Sequence, residues 1–186
     1  MDSRSVVVLA VVLTMLMNTG CAAADKKVSS GAASHVPPGD NVTGWQIYRN
    51  EQYGFEVRYP PNYVVVESRD QPQPVPLLQV WFQERSLAGS QTEYVQPPQF
   101  AIVVFDNPSQ ESLPAWLQKN VARAGAAFDS EEVTVGGQKG VRLTTPLLLA
   151  PNTFIYVARG PFVYRLTPLG EFSDQMIGSF RFLPYR

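Results

Sequence analysis

The chain has a single cysteine, Cys21, and a single histidine, His35, and those two scarcities exclude more than any motif asserts. One cysteine cannot form an internal disulfide, so the fold is not stapled from within. One histidine, set in a Ser/Gly/Pro-rich stretch, cannot be held within hydrogen-bond reach of a nucleophile. Ser-His and Cys-His catalysis and His-rich zinc sites are therefore unsupported, and no Gly-x-Ser-x-Gly elbow occurs. Charge of one sign is also lacking. The formal net charge is −1, which leaves no electrostatic footprint for nucleic acid. Nor is there a long apolar run. Val6 to Met17, broken only by Thr14, falls well short of the ~20 residues a membrane-spanning helix needs.

That short run has the length of a signal-peptide core. It ends in Asn18-Thr19-Gly20-Cys21, and the segment resembles a bacterial lipobox, in which a small residue precedes a cysteine that becomes the lipidated N-terminus. Asn18 stands where leucine is usual, and Arg4 is offset by Asp2. The expectation is a signal peptide over 1–20 with Cys21 as the lipid (palmitate) attachment residue. The alternative is an ordinary secretory signal cut near Ala22 to Ala24. Lipidation supplies a reason for a lone thiol in an exported chain, since each buried methylene contributes about 0.8 kcal/mol to membrane attachment. It places the protein on a cell membrane or outer membrane, facing the periplasm or cell exterior, with the membrane itself as one partner.

Residues 21–44 are rich in Ala, Ser, Gly, Pro and Lys, without hydrophobic periodicity, and read as a flexible tether. Such a length spans roughly 27 Å root-mean-square. Residues 45–186 form the remaining domain, long enough to bury a core, with 45% apolar and 11% aromatic residues over the whole chain.

Within that domain, period-two alternation predicts strands. Tyr53, Phe55, Val57 and Tyr59 share one face, with Glu56 and Arg58 on the other. Pro60-Pro61-Asn62 interrupts the pattern, and Tyr63 to Glu67 reads as the second arm of a hairpin. Leu77 to Glu84 is a further strand, and Phe100 to Phe105 is apolar enough to be central and covered on both faces. Ser112 is placed to cap a helix whose Leu113, Trp116, Leu117 and Val121 make an apolar stripe, with Pro114 in the first turn and Gly125 as a stop. Strands at Glu131 to Val135, Gln138 to Thr145, Thr153 to Arg159 and Phe162 to Thr167 follow. They are separated by the turn dipeptides Gly136-Gly137, Pro151-Asn152 and Gly160-Pro161. A short helix at Phe172 to Ile177 and a strand at Ser179 to Leu183 complete the pattern. The expected class is α+β, an antiparallel sheet covered by a helix.

The order Tyr48, then Tyr53-Gly54-Phe55-Glu56-Val57-Arg58-Tyr59-Pro60, is similar to the opening strand of PsbP-like domains. So is the ending, Arg159-Gly160-Pro161-Phe162-Val163-Tyr164-Arg165-Leu166 followed by Ile177-Gly178-Ser179-Phe180-Arg181-Phe182. The resemblance runs from Trp45 to Leu183. One departure is that Pro60-Pro61-Asn62 leads to Tyr63 where the family has Pro-x-x-Trp. The family takes its name from an extrinsic subunit of photosystem II, so the resemblance implies an accessory role beside a membrane complex. A narrower version is a photosystem II extrinsic or assembly factor. Metal binding through histidine, associated with some relatives, has no domain histidine to receive it, and no cofactor is expected.

Other chemistry-bearing groups have plain structural alternatives. Asp129, Glu131 and Glu132 could gather a cation or serve as glycosidase acids, or form a solvated charge cluster. The Gly136 to Gly140 stretch could cradle a phosphate, but a Gly-Gly hairpin turn fits its spacing better. Candidate partner contacts are Tyr94 and Val95, in the long loop Arg85 to Gln99, and Leu148 in the run Leu147-Leu148-Leu149. Trp81 and Phe82 are both expected to be buried. The function expected is a lipid-anchored, extracytoplasmic, non-enzymatic binding or assembly accessory with a protein partner. The rival class is a carboxylate-based hydrolase or small-ligand carrier.

Overall fold

Ten strands and two short helices make up the elements of the computed structural model, which describes residues 42–68, 76–87, 98–121, 128–145 and 151–184. All of them lie in one compact unit, Gly31–Arg186. The strands are β1 (Gln46–Asn50), β2 (Phe55–Tyr59), β3 (Tyr63–Ser68), β4 (Leu78–Glu84), β5 (Phe100–Asp106), β6 (Asp129–Val135), β7 (Gln138–Thr144), β8 (Thr153–Arg159), β9 (Phe162–Pro168) and β10 (Arg181–Phe182). The helices are α1 (Leu113–Asn120) and α2 (Ser173–Ser179).

The class is α+β, and every strand pair is antiparallel. There are nevertheless two sheets where the sequence suggested one. A seven-stranded sheet runs β3-β4-β5-β9-β8-β7-β6, and a three-stranded sheet runs β1-β2-β10. The expected hairpin between Tyr53–Tyr59 and Tyr63–Glu67 does not form. β2 pairs with β1 and β10, whereas β3 pairs with β4. Pro60 and Pro61 contribute no N–H where a hairpin ladder would need them, so the chain changes layer there. The turn is closed by Tyr63 N–H donating to the Pro60 carbonyl at 3.0 Å.

The main core fills the space between the sheets. Phe55 and Val57 of β2 meet Val80, Phe82, Ile102, Val104, Tyr164 and Leu166 of the large sheet, with Met176, Ile177 and Phe180 closing one end. Phe55 stacks on Phe180 at 5.6 Å. β5 lies inside the sheet, third from the β3 edge, with both its faces covered, as its unbroken apolar run required.

The opposite face of the large sheet carries α1. Trp116 packs with Leu143, Tyr156 and Val163, and its indole N–H donates to the Asp106 carbonyl at 3.3 Å. Ser112 holds the N-cap position, but its hydroxyl makes no capping hydrogen bond. Asn107 organises the entry instead, accepting from Glu111 N–H and donating to the Glu111 carbonyl, each at 3.0 Å. Phe82 is fully buried on the inner face, while its neighbour Trp81 turns to the outer face and is only half-buried. Strand alternation allows no other outcome for adjacent residues with one dry face.

Candidate functional site

Three loops converge at one end of the sandwich: the β1–β2 turn, the β8–β9 turn and the residues after β10. Between them lies a cavity of about 800 Å³. Arg49, Glu51, Tyr53, Arg159, Phe162 and Pro184 are among its lining residues. Tyr53 is fixed from both ends. Its N–H donates to Asn50 Oδ1 at 3.0 Å, and its hydroxyl donates to the Leu77 carbonyl at 3.1 Å. Its own carbonyl accepts the Tyr164 hydroxyl at 2.6 Å. Gly54 follows with φ 64°, the left-handed conformation that turns the chain back into β2.

The floor of the cavity is aromatic, with Tyr53 edge-on to Phe162 at 5.4 Å. Arg159, opposite Phe162 in the β8–β9 register, holds its guanidinium 4.8 Å above the Phe182 ring. Arg49 pairs with Glu56 at 2.7 Å. A planar, permanently charged fork over an apolar floor suits carboxylate, phosphate or backbone carbonyl groups. Among the described lining residues no nucleophile stands beside a base.

A second, polar recess of about 410 Å³ lies at the other end, bordered by Tyr63, Glu84, Gln99, Glu171 and Phe172. Burial raises the Tyr63 phenol above its ordinary 10.0, and the carboxylates of Glu171 and Glu84 add to the rise. Ser173 shapes its rim. Its hydroxyl oxygen accepts from the N–H groups of Leu169 and Gly170, each at 3.1 Å.

On the outer face of the large sheet, Arg165 lies between two rings, 5.5 Å from both Phe105 and Phe154. It lies opposite Tyr156 in the β8–β9 register, and that phenol is raised chiefly by burial and held back by the guanidinium. Arg165 Nε and the Thr167 hydroxyl, two residues along the same face, are buried without a hydrogen-bond partner.

Of the residues singled out in the sequence, Cys21, His35, Tyr94, Val95 and Leu148 lie outside the described residues. Asp129, Glu131 and Glu132 are exposed along β6, and Glu131 pairs with Arg142 at 3.0 Å. No cluster of three or more metal-ligating side chains occurs among the described residues. Gly136 and Gly137 form the β6–β7 hairpin turn with φ 57° and 77°. Sequence reasoning missed Tyr53 and Arg159 as site residues. The Gly160-Pro161 turn was the available signal, since it places Arg159 and Phe162 side by side at a hairpin tip.

The fold therefore defines an α+β domain of two antiparallel sheets with a cavity at the loop end and no membrane-crossing helix among the described residues. Among solved structures it is similar to the solution structure of cyanobacterial PsbP (CyanoP) from Synechocystis sp. PCC 6803. The two share 17% identity, the match covers 74% of this chain and 92% of that one, and the TM-score is 0.49. No family model and no curated protein matches the chain.

Proposed function

We propose that the protein is a lipid-anchored, extracytoplasmic, non-enzymatic accessory that binds a protein partner in a membrane or envelope complex. The observation that carries this reading is the loop-end cavity. Arg159 and Arg49 line it together with Tyr53 and Phe162, and among its described lining residues no nucleophile stands beside a base. Cys21 is the attachment point, and the 21–44 tether lets the domain reach a neighbour in the same membrane.

Affinity purification from native membranes, with wild type and Arg159→Glu compared, tests the partner. A specific protein retained by wild type and lost by the variant supports the reading. If none is recovered with wild type, it fails.

A second reading, a small-ligand carrier, draws on the cavity volume, which falls within the ~300–1,000 Å³ of ligand pockets. The carboxylate-hydrolase alternative draws on Glu84 and Glu171 at the polar recess. Turnover of a glycoside panel that disappears in both Glu84→Gln and Glu171→Gln would favour it over binding.

A further inference from the structure

Glu84 ends β4 directly opposite Tyr63 of β3, so the two side chains leave the large sheet on the same, core-facing side. Tyr63 is only 4% exposed. Its phenol nevertheless makes no hydrogen bond among the described residues, whereas the hydroxyls of Tyr48, Tyr53, Tyr59 and Tyr164 each donate one. A polar group so deeply set and without a partner calls for an explanation. The phenol borders the polar recess of about 410 Å³ and feels the charge of both its carboxylates, Glu84 and Glu171.

Glu171 reaches the recess from the connection between β9 and α2, which Gln99 holds in place. The Gln99 carbonyl accepts the N–H groups of Leu169 at 3.1 Å and Gly170 at 2.7 Å. Gly170 lets the Gln99 side chain lie against that connection, because a Cβ there would stand 2.9 Å from Gln99 Cβ. Neither Glu84 nor Glu171 pairs with a lysine or arginine among the described residues. Phe172 completes the wall, its ring set edgewise to Tyr63 at 6.2 Å and to Trp45 at 5.8 Å.

We infer that this recess binds an organic cation of the guanidinium class, carried either by a free small molecule or by an arginine side chain. A guanidinium offers five N–H donors in one plane, enough to address both carboxylates and the phenol oxygen. Its flat face suits the ring of Phe172. A hard metal ion fits worse, because calcium takes six to eight oxygens and no cluster of three metal-ligating side chains occurs among the described residues. The volume also matches a small organic group, at the lower end of the ~300–1,000 Å³ of ligand pockets. This site is separate from the loop-end cavity, so it stands or falls independently of the partner proposed there.

NMR titration of the detergent-solubilised full chain with N-butylguanidinium and, separately, with the blocked peptide acetyl-Gly-Arg-Gly-amide tests this. Saturable amide shifts centred on Tyr63, Glu84, Gln99 and residues 169–172 are expected. Tighter binding of N-butylguanidinium assigns the site to a free small molecule, and tighter binding of the peptide assigns it to an arginine of another protein. N-butylurea, planar but uncharged, is expected to give no saturable shift. Glu84→Gln and Glu171→Gln are each expected to weaken binding about fivefold. Raising salt from about 10 to about 150 mM should weaken it in wild type as well. Tyr63→Phe keeps both charges and the ring, and is expected to cost about threefold. Because a guanidinium stays charged at alkaline pH, bound N-butylguanidinium should also lower the ionisation midpoint of Tyr63, which a merely structural pair of glutamates would not allow.

Three results would overturn the inference. One is the lack of a saturable shift with either probe. Another is affinity that is unchanged in both glutamine variants. The third is displacement of N-butylguanidinium by calcium or zinc chloride at a lower concentration than the probe itself needs, which would make the recess a metal site.

Discussion

The hydroxyl of Tyr164, in the middle of the large sheet, donates a 2.6 Å hydrogen bond to the carbonyl of Tyr53, in the turn that opens the small one. Tyr164 is almost wholly buried, and its ring lies edge-on to Phe55, Phe162 and Phe182. The bond thus joins the large sheet to the turn that opens the small one, beside the cavity that both tyrosines line.

Tyr164→Phe keeps the ring and removes the donor, leaving the Tyr53 carbonyl without its buried partner. The expected loss is about 1–3 kcal/mol in chemical denaturation, the cost of an unsatisfied buried acceptor. Partner capture through the cavity is expected to weaken in the same variant, because Tyr53 loses one of its restraints.

Gly136 has φ 57°, and a Cβ there would lie 2.9 Å from Phe182 Cδ2. Gly136→Ala therefore combines backbone strain with a collision against a ring of the core. Its expected cost is about 1–3 kcal/mol. Gly137→Ala is the control. Its φ is also positive, but a Cβ there meets nothing within 4 Å, so guanidinium unfolding should show a smaller loss.

Tyr156 and Tyr63 both hold their protons more tightly in the fold than the ordinary 10.0. A raised folded value contributes stability that is fully present below the unfolded value near 10 and is lost as pH rises through the folded one. The protein is thus expected to lose stability on the alkaline side. Spectrophotometric titration should show Tyr156 and Tyr63 ionising late, and Tyr156→Phe should flatten the alkaline decline. Glu171→Gln removes a negative charge that disfavours the Tyr63 phenolate, so the Tyr63 midpoint should move down.

Cys21→Ser is expected to move the protein from the detergent phase to the aqueous phase in phase partitioning, because a serine accepts no thioether-linked lipid. Intact mass of wild type extracted from membranes provides the direct check. A mature N-terminus beyond Cys21, without added mass, excludes the anchor.

The β6–β7 and β8–β9 hairpins, both helices and the central position of β5 were legible in the sequence. Each depends on a local signal: a turn dipeptide with special φ needs, an alternation of period two, or an apolar stripe of period near 3.6. β10 was legible too, although it is shorter than its pattern suggested. β1 was not legible as a separate strand, because Gln46 to Asn50 is mostly exposed and buries only Asn50. The candidate site was less legible still. Tyr53, Arg159 and Pro184 are far apart along the chain, and no periodicity links them.

Composition and local periodicity are written residue by residue, and from them alone came the α+β class and the likeness to the PsbP-like pattern. Only the tertiary structure decided that Tyr63–Ser68 leaves β2 to join β4, that two sheets enclose the core, and that an arginine and two aromatic rings frame one cavity. Those outcomes depend on which apolar faces cover each other. That choice is made by burial among distant segments, and neighbouring residues along the chain do not carry it.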